Sequence, residues 1–176
     1  MSTLAGLGGK YALIGMAESA VGIIPEKSPR ELCVQVTLDA VHDAGLTLED
    51  VDGLITCNSF AEPIMYHAEA VAEYLGWEPR HCVTMNTGGG TTFMALNMAA
   101  AAISAGMAKT IVVSMADSLR SFMTRDQAML VQSSSGHPNY EQPFGPTVPA
   151  YYALIARAHM HQYGTTEEHF AEAAVS

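Results

Sequence analysis

The chain has 176 residues, 49% hydrophobic and 15% charged, which suits one compact domain or a piece of a larger protein and argues against global disorder. Eighteen acidic residues against eight Lys and Arg give a formal net charge of −10, a field that repels a phosphate backbone and excludes nucleic acid from the expected partners. Cys33, Cys57 and Cys82 show no metal-binding spacing, and an odd count without a secretory leader suits a reducing compartment, so a cytoplasmic location is expected.

The opening Met1-Ser-Thr-Leu-Ala-Gly-Leu-Gly-Gly-Lys10 has no basic region followed by a sustained apolar core, so neither signal peptide nor anchor is expected. Tyr11-Ala-Leu-Ile-Gly15 is a short apolar run that predicts a first, buried strand. Ser28, Pro29 and Glu31 then form a helix-start signature ahead of Leu32, Val36, Leu38, Ala40 and Val41, and Gly45 marks the end of that helix. Residues 46–50 predict a short turn, and residues 51–57, centred on Leu54 and Ile55, a second strand. A second helix is predicted over 63–75, closed by Gly76 with Pro79 beyond it. A third strand over 83–85 leads through a glycine turn into a buried helix over 91–105, and residues 110–115 predict a fourth strand.

The longest apolar stretch, 93–108, falls short of the roughly 18–20 residues of a membrane span. Asn97, Ser104 and Gly106 also interrupt it, so no membrane association is expected. Beyond Ala116 the texture changes. Residues 132–146 are rich in turn formers and lack periodicity, predicting a surface excursion, followed by helices over 148–163 and from the cap at Thr165 and Thr166 onward. The last helix reaches Ser176 without a cap, consistent with a truncated or partial chain. Strands alternating with helices argue for parallel pairing through right-handed crossovers. The expectation is a layered α/β core over 1–116 and a loop excursion with two helices over 117–176.

The stretch Val83-Thr-Met-Asn86-Thr-Gly88-Gly89-Gly90-Thr91-Thr92 is the most informative. It reads as a strand running through a glycine turn into a helix of small residues, where α/β proteins place a nucleophile or bind an anion. Asn86, Gly88, Gly89, Gly90 and Thr91 are the candidate substrate-binding residues. Successive backbone N–H groups there could hold a thioester carbonyl or enolate. The alternative is that the glycines only let the Ala-rich helix pack closely under the sheet.

Other features carry less. His67, His81, His159 and His161 raise the thought of a metal, but His159 and His161 are two apart and point to different helix faces, so surface or capping roles and no metal are expected. Glu167, Glu168 and Glu172 suit a helix N-terminus without a catalytic role. Met94, Met98 and Met115 near the turn could line an apolar acyl or sterol pocket, with core filling the simpler reading. Gly88-Gly-Gly90 lacks the spacing of a dinucleotide loop, so no nicotinamide cofactor is expected.

With its elements in this order, the chain resembles the thiolase superfamily, in particular its sterol-carrier-protein and lipid-transfer branch. The resemblance rests on Ile14-Gly-Met-Ala-Glu18, on Asp43-Ala-Gly-Leu-Thr-Leu-Glu-Asp-Val-Asp-Gly-Leu-Ile55, on the glycine turn with its helix, and on the stretch from Phe144-Gly145-Pro through Ala153-Leu154 to Tyr163-Gly-Thr-Thr. It implies a thiolase-like αβα layered domain, the N-terminal half of a five-layered αβαβα subunit. In active thiolases this turn carries Asn, two residues, then the nucleophilic Cys. Placing Asn86 on that Asn puts Gly89 in the cysteine's place, and neither Cys57 nor Cys82 stands in register to replace it.

A covalent acyl intermediate needs a thiolate, so Claisen-type thiolase chemistry is not expected. The resemblance implies instead a protein that acts on or binds lipid- or sterol-type acyl-CoA thioesters, by aldolase or acyltransferase chemistry completed by other residues or a partner. The alternative is a non-catalytic scaffolding or binding subunit. Coenzyme A enters as thioester substrate, with no separate cofactor. A homodimer or larger oligomer is expected, and some such proteins associate with a small zinc-ribbon and OB-fold partner. The family's catalytic His and second Cys belong to a second half, so Gly136-His137-Pro138, in the excursion, is assigned no catalytic role.

Overall fold

The computed structural model describes residues 8–176; residues 1–7, which hold most of the stretch read above for a leader, lie outside the described residues. The chain divides into two compact units, Met1–Met123 and Thr124–Ser176.

In the larger unit, Ser28 starts helix α1 (Pro29–Asp43) with the capping box that the sequence signals. The Ser28 hydroxyl accepts from the Glu31 amide at 3.2 Å and the Glu31 carboxylate accepts from the Ser28 amide at 2.8 Å. Beyond α1, Gly45 turns the chain at φ +71°, and a 3-10 turn (Leu48–Asp50) delivers it to strand β1 (Gly53–Thr56). Helix α2 (His67–Tyr74), strand β2 (His81–Thr84), helix α3 (Thr91–Ser104), strand β3 (Ile111–Ser114) and the single-turn helix α4 (Leu119–Phe122) follow.

The three strands are parallel in the order β2-β1-β3, with Thr56 opposite both Thr84 and Ser114. All four β1 residues are buried. Leu54 faces Cys33 of α1 and Ala68, Val71 and Ala72 of α2, whereas Ile55 faces Ala95 and Ala99 of α3. Two helices therefore cover one face of the sheet and one covers the other, an αβα layering whose middle is β1.

The predicted first strand is not formed. Residues 11–20 join no sheet among the described residues, and Leu13 and Ile14 are exposed. Their backbone is engaged elsewhere: the Met16 amide donates to the Asp43 carboxylate at 2.9 Å. Gly15 also passes so close to α1 that a Cβ there would lie 2.4 Å from the Ala40 carbonyl oxygen. The glycine read as a strand end is thus a contact point with a helix. The second helix starts at His67 rather than near 63, because its bonds to the strands, described below, replace a local cap. The helix after the glycine turn is buried on one stripe only. Thr91, Ala95, Ala99 and Ala102 lie inside, while Phe93 is 72% exposed.

In the smaller unit, the excursion contains a helix that composition concealed. Thr124 caps α5 (Arg125–Ser133), and Gln127 completes the capping box. A 3-10 turn (Gln142–Phe144) leads to α6 (Val148–Tyr163), which Gly164 ends at φ +70°, and to α7 (Glu167–Val175). The His159 ring lies 4.7 Å from Tyr163 and 6.2 Å from Phe170, tying α6 to α7.

Because Leu54 is wholly buried and packs against both α1 and α2, Leu54→Ala is expected to lower the urea-unfolding free energy by about 2–5 kcal/mol. An unchanged urea midpoint would show that β1 is not the centre of the core.

Candidate active site

The carboxyl ends of the parallel strands lie at one edge of the sheet, where open α/β folds bind ligands. The glycine turn leaves β2 at this edge. Pairing continues one residue past the strand, with the Met85 amide donating to the Thr56 carbonyl at 2.9 Å, and then the chain reverses into α3. Gly88 turns at φ +67°, in the left-handed region, and its amide donates to the Asn86 side-chain oxygen at 3.0 Å. The Thr91 hydroxyl, 5% exposed, donates to the Gly88 carbonyl at 2.6 Å and accepts from the Thr87 amide at 2.9 Å.

The five candidate residues therefore form one turn with divided labour. The Asn86 oxygen and the Thr91 hydroxyl are engaged in holding the loop, Thr91 from within. Gly88, Gly89 and Gly90 present exposed backbone, and no side chain caps the first turn of α3. A Cβ built on Gly88 or Gly89 meets nothing within 4 Å, and one on Gly90 meets only the Thr87 carbonyl at 4.0 Å. Close packing is thus not what these glycines serve; Ala95 and Ala99, deeper in α3, make that contact. Gly88 needs glycine for its φ. Gly89 has no positive φ and open space, so its backbone would accept any side chain.

Two further groups at this edge escape sequence reading. Asp117, just beyond β3, accepts from the Ser59 hydroxyl at 2.9 Å and from the amides of Phe60 at 2.7 Å and Ser118 at 2.8 Å, fixing the loop that leaves β1. His67 is a buried residue, correcting its reading as a surface or capping histidine. It is 1% exposed, its Nδ1 lies 3.1 Å from the Thr56 hydroxyl and its Nε2 has no partner. Arg30 pairs with Glu62 and lies over the Tyr74 ring at 4.9 Å. Asp117 lies three residues past the end of β3, which is the one local signal for it; nothing local marks His67.

None of the three cysteines lies in the turn or in α3. Cys33 is buried in α1, 3.3 Å from the Ser114 hydroxyl; Cys57 follows β1 and Cys82 lies within β2. Burial pushes all three thiols up, Cys82 to about 11. Asp117 adds to the effect at Cys57 and Glu69 at Cys82. Each is thus a protonated thiol near neutral pH, the opposite of an activated nucleophile. Met85 and Met115 pack around Ile55, while Met94 and Met98 are exposed on α3. Two concavities of about 500 and 490 Å3 flank Trp77 near the start of β2, away from the turn.

No family model matches the sequence. A 17-hydroxy-3-oxo-4-pregnene-20-carboxyl-CoA lyase of Mycobacterium tuberculosis is 31% identical over 97% of this chain and 45% of its own length. An acetyl-CoA acetyltransferase of Methanocaldococcus jannaschii is 27% identical over 89% of this chain and 40% of its own. Among solved structures, the Ltp2-ChsH2(DUF35) aldolase matches with a TM-score of 0.60 and 30% identity, over 80% of this chain and 35% of that one. The chain is thiolase-like. It spans less than half the length of the curated relatives it matches. No helix among the described residues of this thiolase-like chain is long and apolar enough to cross a membrane.

The elevated thiol values give a direct test. With Cys82 moved from 9.0 to about 11, its thiolate fraction at pH 7.5 falls about hundredfold, so iodoacetamide should alkylate the folded chain far more slowly than the urea-unfolded chain. Rapid modification of any cysteine in the folded state would contradict this description.

Proposed function

We propose that this chain is part of a thiolase-superfamily protein that binds a lipid- or sterol-type acyl-CoA thioester at the turn 86–91. There it makes or breaks a carbon–carbon bond without a cysteine nucleophile. The observation that carries the reading is Gly89. It occupies the position that the resemblance assigns to the nucleophile, its backbone is unstrained, and the space a side chain would take is open. Around it the Gly89 and Gly90 amides and the uncapped start of α3 supply partial positive charge, suited to a thioester carbonyl or the enolate that a retro-aldol step generates.

The lyase and aldolase names of the relatives support this chemistry over acyl transfer through sulfur, as do the protonated thiols. The acid and base come from residues outside this chain's turn or from a partner. The name of the Ltp2-ChsH2(DUF35) aldolase supports a two-component assembly, for which a zinc-ribbon and OB-fold subunit is our candidate. Self-association or such a partner would cover the exposed Phe93, Met94 and Met98 of α3. A cytoplasmic setting fits the three unpaired cysteines.

Calorimetric titration of the chain with its co-purifying partners, against acetyl-CoA and steroid-type CoA thioesters, tests the reading. Saturable binding is expected. Gly89→Ala should retain the fold and Gly89→Phe should retain the fold but lose binding, because only the larger side chain fills the open space. Gly88→Ala should cost roughly 1–2 kcal/mol of stability for its left-handed φ. No binding by any assembly would instead favour a non-catalytic scaffolding subunit.

A further inference from the structure

His67 is the first residue of α2 and among the most deeply buried polar side chains described. Its helix has no side-chain cap of its own. The start of α2 is instead hitched to two neighbouring strands by two threonines in register. Thr56 of β1 lies 3.1 Å from His67 Nδ1, and Thr84 of β2 accepts from the Ala68 amide at 2.8 Å. The same stretch of chain, 57–66, is fixed at its other end by Asp117 through Ser59 and Phe60.

The His67 ring sits where a proton is unwelcome. Its Nε2 is buried without an acceptor, so a second N–H would be unsatisfied. A positive charge at the first residue of a helix opposes the helix dipole. The charged groups acting on the ring are Arg30 from α1, which opposes protonation, and Glu62 and Asp117 from the flanking loops, which favour it. Burial is the largest influence and holds the imidazole below its ordinary value of 6.5.

We propose that His67 is a pH-sensitive latch: neutral, it holds the 57–66 loop and the first turn of α2 against the carboxyl end of β1; protonated, it releases them. The direction follows from linkage. The opened or unfolded chain takes up a proton near pH 6.5 while the closed chain does not, so the closed state is fully favoured above that pH and loses ground as pH falls below it. The latch stands independently of the acyl-CoA reading.

Hydrogen exchange of the full chain, expressed as protection factors at pH 7.5 and 5.5, tests it. Residues 57–74 are expected to lose about tenfold in protection at pH 5.5, the factor by which an imidazole of ordinary value 6.5 favours its protonated form one pH unit lower, while β1 and β3 keep theirs. His67→Gln should abolish that difference. Equal protection at the two pH values, uniform loss across the chain, or the same loss in H67Q would overturn the proposal. Should H67Q fail to fold, the titration of the His67 ring followed by its Cε1 proton decides. Titration in step with loss of protection supports the latch, and titration without it overturns the latch.

Discussion

Burial of β1 on both faces and pairing along both its edges is the constraint from which the larger unit takes its form. Gly53 admits the strand between its neighbours, since a Cβ there would lie 2.7 Å from the Ile111 side chain. Leu54 and Ile55 then divide the core in two, one half closed by α1 and α2 and the other by the alanines of α3. The register that places Thr56 opposite Thr84 and Ser114 also aligns the three carboxyl ends. The loops that leave them therefore emerge at one edge, and the site is a consequence of the core.

At that edge the protein presents backbone at the position where the resemblance to thiolases places a cysteine. Gly88 adopts a conformation that only glycine takes readily, Thr91 ties the turn from within, and Gly89 stands open between them. Such a turn can stabilise charge developing on a substrate oxygen but cannot form a bond to substrate carbon. The same separation appears in the cysteines, where Cys33 is buried, Cys57 and Cys82 are half-buried, and all three thiols are pushed toward the protonated form rather than activated as nucleophiles.

What could be read from the letters was local. The Ser28-Pro29-Glu31 start of α1, the alternation of short apolar runs with helices, and the glycine turn before Ala-rich α3 each carry their signal within a few residues. What escaped depends on partners far along the chain. Tyr11 to Gly15 has strand composition, but its glycine meets α1, and apolar content alone does not choose between those outcomes. His67 is buried only because Thr56 and Thr84 receive the start of α2, and Asp117 matters only because Ser59 and Phe60 turn toward it. The helix α5 had a legible cap in Thr124 and Gln127, masked by the turn-rich segment that follows it.

The central claim is that the glycine turn receives a thioester without sulfur chemistry. The most direct measurement is amide chemical-shift mapping during addition of a non-hydrolysable acyl-CoA analogue, paired with intact mass after incubation with acetyl-CoA. The account predicts that the amides of Gly89, Gly90 and Thr92 shift most and that the mass of the chain stays unchanged. Shifts centred on Cys57 or Cys82, together with a stable acetyl increment on a cysteine, would contradict it.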